Sequence, residues 1–382
     1  MSDSTRRAQI LRSFGAGPDD TIELLHYNEN VFRDRVAATT FPLPDEPFIK
    51  SWEQYAREVE AAGSILPLAK YLIQLCFPIC EGISATEDYI AATRRGRPAD
   101  ELPSATGLPL CSPERCRVVI HSTPAGRIPL LIASDRRDFV ALVRALSKRN
   151  EPCEIPDSMG ASMIAGYNNW ARFHAAASAL PPSKSADAFQ KIASQKDLYQ
   201  DRFIILSDGP YSGVSASELG LDGPSWHQTS LLIRREHECA HYFTRRIFSS
   251  MRNNLLDEFI ADYCGITAAS GRFRADWLLR FLGLESFPLY RKGGRLQNYR
   301  GDPPLSDGAF AILGRLVCQA ARNVEQFEAN RPRPGDREQD HVAMVLTLAG
   351  MTLEQLASTE SLHLLEERWT NCLGTLAGQG VH

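Results

Sequence analysis

The sequence predicts an α+β fold that is predominantly helical, with a small β-sheet in the middle of the chain. Apolar residues recur at helical spacing through most of residues 1–92 and again after residue 226. Short segments rich in β-branched and apolar residues lie between them, at 116–121, 128–133 and 202–207. Hydrophobic residues make up 43 % of the chain, which is enough to bury a core.

The elements follow one another in that order. The first two β segments flank Pro124-Ala125-Gly126 and predict a hairpin, and residues 151–169 are expected to form an ordered loop. A Pro-, Gly- and Ser-rich stretch near residue 100 favours a linker. We therefore expect a helical region at 1–105, a small α/β region at 106–215 and a helical region at 216–382, which can also form one continuous domain. The predicted helices after the hairpin span 139–148, 226–248, 255–269, 275–282, 309–329 and 341–356.

The charge balance argues against two classes of partner. The 382-residue chain carries a net charge of -4, and its pI is about 6.2. Proteins that bind nucleic acid or anionic membranes usually carry a basic excess. We expect no nucleic-acid or membrane partner, and the sequence does not indicate an oligomeric state.

The longest apolar run, Ile65 to Cys80, is interrupted by Pro67 and Pro78 and is too short for a confident membrane span. It predicts a buried helix. The polar N-terminus shows no secretory signal. The nine cysteines are an odd number, which favours free thiols in a reducing cytoplasm.

One short motif carries the chemistry. Residues 237–241 read His-Glu-Cys-Ala-His, within a segment predicted to be helical. Residues four apart on a helix share a face, so His237 and His241 can present two imidazoles to one metal ion. Glu238 is offset by one position, and its carboxylate can reach a metal-bound water as a general base.

A second acidic helix follows at a useful distance. Glu258 lies seventeen residues after His241, which leaves room for a turn and a returning helix. Glu258 can supply a third ligand, with Asp257 as its rival. Asp262 shares the face of Glu258 and can accept a hydrogen bond from a ligating imidazole, which would fix the tautomer of that ring.

Residues 234–265 resemble the gluzincin metallopeptidases, whose pattern is HExxH followed by a helix bearing ExxxD. Here the pattern is His237 to His241 and Glu258 to Asp262. The resemblance implies a zincin-like active-site helix after the sheet, and a zinc ion held by His237, His241 and Glu258 with water at the open position. It also implies hydrolysis of a peptide or small-molecule amide, with Glu238 passing the water's proton to the leaving amine.

Such a reaction also needs a donor for the oxyanion. We expect it from the polar loop at 290–300, with Tyr299 and Arg295 as first choices and Tyr290 and His341 after them. The arginines that flank the motif can bind an anionic substrate group or form a solvated face; they are Arg234, Arg235, Arg245 and Arg246.

Three alternatives stay open at this point. The chain can be a metalloenzyme of small-molecule metabolism that is not a peptidase and uses zinc or iron. It can be a metal-binding protein without catalysis. The motif can also have arisen by chance in a metal-free interaction protein.

Overall fold

The computed structural model describes residues 3–32, 40–179, 190 and 192–378. The chain forms two compact units, one of residues 1–43 with 210–382 and the other of residues 44–209. The boundary expected after residue 215 lies close to the second junction. The boundary expected after residue 105 falls inside the second unit, and the N-terminal helices belong with the C-terminal half of the chain.

The predicted α+β class, mostly helical with one small sheet, is confirmed. Helices α1 to α6 are Asp3–Ser13, Pro18–Tyr27, Ile49–Ala62, Glu87–Arg95, Arg136–Ser147 and Trp170–Ser178. Helices α7 to α13 are Gly223–Phe248, Leu255–Ser270, Ala275–Leu282, Asp307–Asn330, Arg337–Ala349, Leu353–Ala357 and Ser361–Gly378. Among the described residues, no helix is both long enough and apolar enough to cross a bilayer.

The second unit contains a four-stranded sheet in the order β1-β2-β4-β3. Strands β1 (Arg117–His121) and β2 (Ile128–Ala133) form the predicted antiparallel hairpin. Strand β4 (Gln200–Ser207), also predicted, runs parallel to β2. Strand β3 (Ala161–Asn168) lies where we expected a loop, and that prediction is wrong. Because β3 mixes buried, half-buried and exposed residues irregularly and carries a bulge near Gly166, it shows no regular apolar alternation, and its pairing with β4 defines it.

Two further predictions for the second unit are corrected. The apolar run after Ile65 forms two short 3₁₀ turns, Leu66–Lys70 and Ile73–Cys76, instead of one buried helix. Leu72 separates them with φ -103° and ψ 82°, outside the helical region, while its side chain is fully buried. The expected linker is also packed, since Leu102 and Leu108 are buried in the cores of this unit.

The first unit is helical and is organised around α7 and α8. The Asp222 carboxylate caps α7 by accepting from the Ser225 backbone N–H, and the helix then runs for 26 residues. Gly265 lets α8 cross α7 closely, because a Cβ there would lie 2.6 Å from the Ile233 carbonyl oxygen. Farther along, the helix expected over 341–356 is divided into α11 and α12, because Thr352 starts a new helix with its own capping box.

Candidate metal centre

Helix α7 brings the two histidines of the motif to one buried point. His237 and His241 are 5 % and 6 % exposed, and their Nε2 atoms lie 3.2 Å apart. This is the arrangement expected from a spacing of four residues on a helix. Two ring nitrogens this close, away from water, need either a shared proton or a cation between them.

Helix α8 adds the carboxylate. Glu258 Oε2 lies 3.5 Å from His237 Nε2, and Glu258 Oε1 lies 3.6 Å from His241 Nε2. The three side chains therefore form a group that is able to hold a metal ion. Burial alone would raise the pKa of Glu258, but the neighbouring imidazoles and Arg295 outweigh burial and lower it. The carboxylate is thus in its ligating form.

Asp262 lies on the other side of the His237 ring. Its Oδ1 is 3.0 Å from His237 Nδ1, and the carboxylate is fully buried. Burial opposes charge on Asp262, but Arg295 and the hydrogen bonds to Asp262 hold its pKa well below the usual range. A charged Asp262 can only accept, so a neutral His237 donates from Nδ1 and directs the lone pair of Nε2 at Glu258 and His241.

Two further side chains hold Asp262 in place. Arg295 pairs with Asp262 Oδ2 and donates to the Tyr211 hydroxyl at 2.8 Å. Tyr211 in turn donates to Asp262 Oδ1 at 2.6 Å, and its oxygen lies 2.9 Å from His237 Nδ1. All of these groups are buried. Sequence reasoning did not select Tyr211, because no spacing rule connects a residue just after β4 to a histidine 26 positions farther on.

Asp257, the rival ligand, faces the back of His241. Its Oδ2 lies 3.6 Å from His241 Nδ1, while Glu258 lies on the Nε2 side. The other oxygen of Asp257 accepts from the Asn253 backbone N–H at 2.5 Å. Burial and the nearby Glu258 raise the pKa of Asp257 to about 8. The Nδ1 atom of His241 is buried and has no hydrogen-bond partner among the described residues, so a small shift would let Asp257 pair with it.

Tyr299, a predicted oxyanion donor, lies beside Glu258, the candidate third ligand. Its hydroxyl donates to Glu258 Oε2 at 2.7 Å, and its own carbonyl accepts from the Tyr27 hydroxyl at 2.5 Å. The Tyr27 carbonyl accepts from the Asn254 side chain at 2.5 Å, one turn before Glu258. The N-terminal helix α2 thus ties together the two segments that present Tyr299 and Glu258.

The remaining sequence candidates are divided between this centre and other places. Glu238 is half-buried on α7 next to His237. Tyr290 turns back to donate to the Gly294 carbonyl within its own loop. His341 lines a separate cavity. The flanking arginines have protein partners, for example Arg234, which donates to the Pro210 carbonyl at 3.0 Å.

Comparison with known sequences identifies the family but not a function. Residues 9–360 match a family described as a family of unknown function, DUF7005, and the chain belongs to it. No curated protein and no solved structure is similar enough to this chain to count as a match.

Proposed function

We propose that this member of a family of unknown function is a zinc-dependent hydrolase that cleaves a peptide or amide bond. The observation that carries the proposal is the buried meeting point of His237, His241 and Glu258, with Glu238 next to the first ligand. A donor set of two imidazoles and one carboxylate, with a further acidic residue next to the first ligand, is typical of hydrolytic zinc sites.

The separations of the donor atoms fit a small tetrahedral ion. Metal–ligand bonds of about 2.0 Å place the corners of a tetrahedron about 3.3 Å apart. The observed separations are 3.2 Å between the imidazoles and 3.5 and 3.6 Å from each to the carboxylate. Imidazole donors favour zinc or another transition metal over magnesium or calcium. Three protein donors also leave one corner for water.

The chain's own groups supply the remaining chemistry. Zinc, when bound, would lower the pKa of a water molecule to about 7 and polarise the scissile carbonyl. Glu238 accepts the proton of the attacking water and returns it to the leaving nitrogen. Asp262 keeps the His237 proton on Nδ1, so that Nε2 stays free to ligate.

That Tyr299 or Arg295 donates a hydrogen bond to the oxyanion stays a prediction. Both terminal nitrogens of Arg295 are engaged, by Tyr211 and Asp262. The single hydroxyl proton of Tyr299 is given to Glu258. An oxyanion role therefore requires Tyr299 to release Glu258, whereas supporting the ligand requires no movement.

The substrate is proposed to be a peptide or a small-molecule amide. The expected cytoplasmic location belongs to the same proposal and rests on the nine cysteines of the sequence, all of which are free thiols.

The decisive experiment measures metal in the purified protein. We expect about one equivalent of zinc in the wild type and its loss in His237→Ala. His227→Ala is the matched control, because His227 is an exposed histidine on the same helix. The control variant should keep its zinc.

Activity is then measured separately on a panel of peptides and small amides. Glu238→Gln should keep zinc and lose turnover by about 100-fold or more, because the substitution removes the base without removing a ligand. A wild-type protein that neither contains nor takes up zinc would overturn the proposal. If the wild type and Glu238→Gln both bind zinc and turn over substrate equally, the protein binds metal but its hydrolysis does not depend on Glu238 as the base.

A further inference from the structure

A polar cavity lies in the first unit, away from the three candidate metal ligands. It has a volume of about 900 Å³ and is bounded by the C-terminal part of α8 and by the segment joining α10 to α11. Thr267 contributes to its wall from α8. Thr267 is nine residues from Glu258, which places the two side chains on opposite faces of the helix. The cavity is therefore a separate site.

The floor of the cavity is a closed network of charges. Arg331 is buried and pairs with Glu328 at 2.8 Å and with Asp340 at 2.6 Å. The Tyr263 hydroxyl donates to Glu328 at 2.6 Å, and Trp369 Nε1 donates to Asp340 at 3.1 Å. Two carboxylates, Glu328 and Asp340, thus face the single positive charge of Arg331, and one negative charge is left for the arginines of the rim.

The rim carries three more arginines. Arg272 and Arg337 are exposed, and neither forms an ion pair with any residue in the described part of the chain. Arg333 is half-exposed and lies 3.4 Å from the second oxygen of Glu328. Asp340 is the only carboxylate among the residues that line the cavity. The lining therefore has an excess of positive charge, in a protein whose net charge is -4.

Neutral donors complete the lining. The Thr267 hydroxyl is buried and has no hydrogen-bond partner among the described residues. Burial lowers the pKa of His341, so its ring is a neutral imidazole with one donor nitrogen. A buried hydroxyl without a partner is costly, and a ligand oxygen would satisfy it.

We propose that this cavity binds a small multivalent oxyanion, a compound with phosphate or carboxylate groups. Guanidinium groups bind the paired oxygens of both classes, and two of them here have no protein counterion. The volume lies within the range of small-molecule sites. The inference does not depend on zinc or on hydrolysis.

Calorimetric titration of pyrophosphate and of citrate tests the proposal. Both anions chelate metals, so the titrations use metal-free protein and are repeated in the His237→Ala background. The double variant Arg272→Ala/Arg337→Ala should weaken binding by about tenfold or more. Arg12→Ala/Arg322→Ala removes the same charge from exposed helix positions outside the lining and should leave the affinity within about twofold.

Tighter binding of pyrophosphate would identify phosphate compounds as the source of the ligand, and tighter binding of citrate would identify polycarboxylates. If neither anion binds the wild type, or if the two double variants lose affinity equally, the proposal is overturned. Thr267→Val supplies an independent variant that leaves every arginine in place, and it should also weaken binding. Denaturation curves show whether each variant is folded.

Discussion

Replacing Asp262 by asparagine should separate two roles of this carboxylate, the ion pair with Arg295 and the hydrogen bond to His237 Nδ1. Asp262 is fully buried and contacts His237, Tyr211 and Arg295. Asparagine keeps the size of the side chain and one acceptor oxygen but removes the charge. Arg295, which is 9 % exposed, would then lose the carboxylate with which it forms its ion pair. Breaking a buried ion pair from one side costs about 3–5 kcal/mol.

The second effect is on the metal. Without a charged acceptor at its Nδ1, His237 is held less firmly in the tautomer that ligates through Nε2. Loss of such a supporting carboxylate lowers metal affinity by about 10–100-fold. We therefore expect Asp262→Asn to reduce both the urea stability of the metal-free protein and its zinc affinity, the latter measured against a competing chelator.

A double variant distinguishes the two effects. Asp262→Asn/Arg295→Met removes the unpaired charge together with its partner and fills the space with an apolar chain of similar length. It should recover much of the lost stability, because replacing a whole buried ion pair by apolar groups is often neutral. It should not recover zinc affinity. A loss below about 1 kcal/mol in Asp262→Asn, or a double variant as unstable as the single one, would refute this account.

Three other predictions concern the surroundings of the ligands. Tyr299→Phe should lower zinc affinity by about tenfold with little change in folding, since only the hydrogen bond to the ligand carboxylate is lost; a chelator competition that gives wild-type affinity would contradict it. In metal-free protein, the free energy of unfolding of Asp257→Asn should increase relative to that of the wild type as the pH rises from about 4 to about 8. Burial raises the pKa of Asp257 to about 8, so the unfolded chain binds fewer protons than the folded one in that window and wild-type stability falls with pH. Urea curves at about pH 5 and 7.5 that show a constant difference would refute this. Gly265→Ala should destabilise the protein by about 1–3 kcal/mol, because its Cβ would lie 2.6 Å from the Ile233 carbonyl oxygen of α7. Gly374→Ala, where the Cβ would meet nothing within 4 Å, should be neutral or slightly stabilising in the same thermal or urea assay.

The part of the site that could be predicted from the sequence is the part fixed by helix geometry. His237 and His241 share a face because they are four residues apart on one helix, and Glu258 meets them because the next helix packs back. The choice between Glu258 and Asp257 could not be made from spacing, since both are near the start of α8. The crossing of α7 and α8 decides it by placing one carboxylate on the Nε2 side of His241 and the other on the Nδ1 side.

The supporting residues could not be predicted in the same way. Tyr211 reaches Asp262 from a loop after the sheet, and Tyr27 reaches the Tyr299 carbonyl from an N-terminal helix 272 positions earlier. Such contacts depend on tertiary packing and leave no periodic signal. Strand β3 escaped prediction for a related reason, since its pairing with β4 rather than its own side chains defines it.

The charges around the candidate metal centre explain why Asp257 keeps its proton in the metal-free protein. Glu258 and Asp262 are ionised, Arg295 compensates one of them, and the nearby Asp257 keeps its proton because burial and Glu258 raise its pKa to about 8. A divalent cation between the imidazoles would replace repulsion at Asp257 by attraction and favour loss of that proton. His241 Nδ1, which has no hydrogen-bond partner among the described residues, would then face a charged acceptor 3.6 Å away. Asp257→Asn, which stabilises the metal-free protein, should therefore weaken metal binding. Opposite effects on stability and on metal affinity are expected where a buried carboxylate supports a metal ligand and does not stabilise the fold.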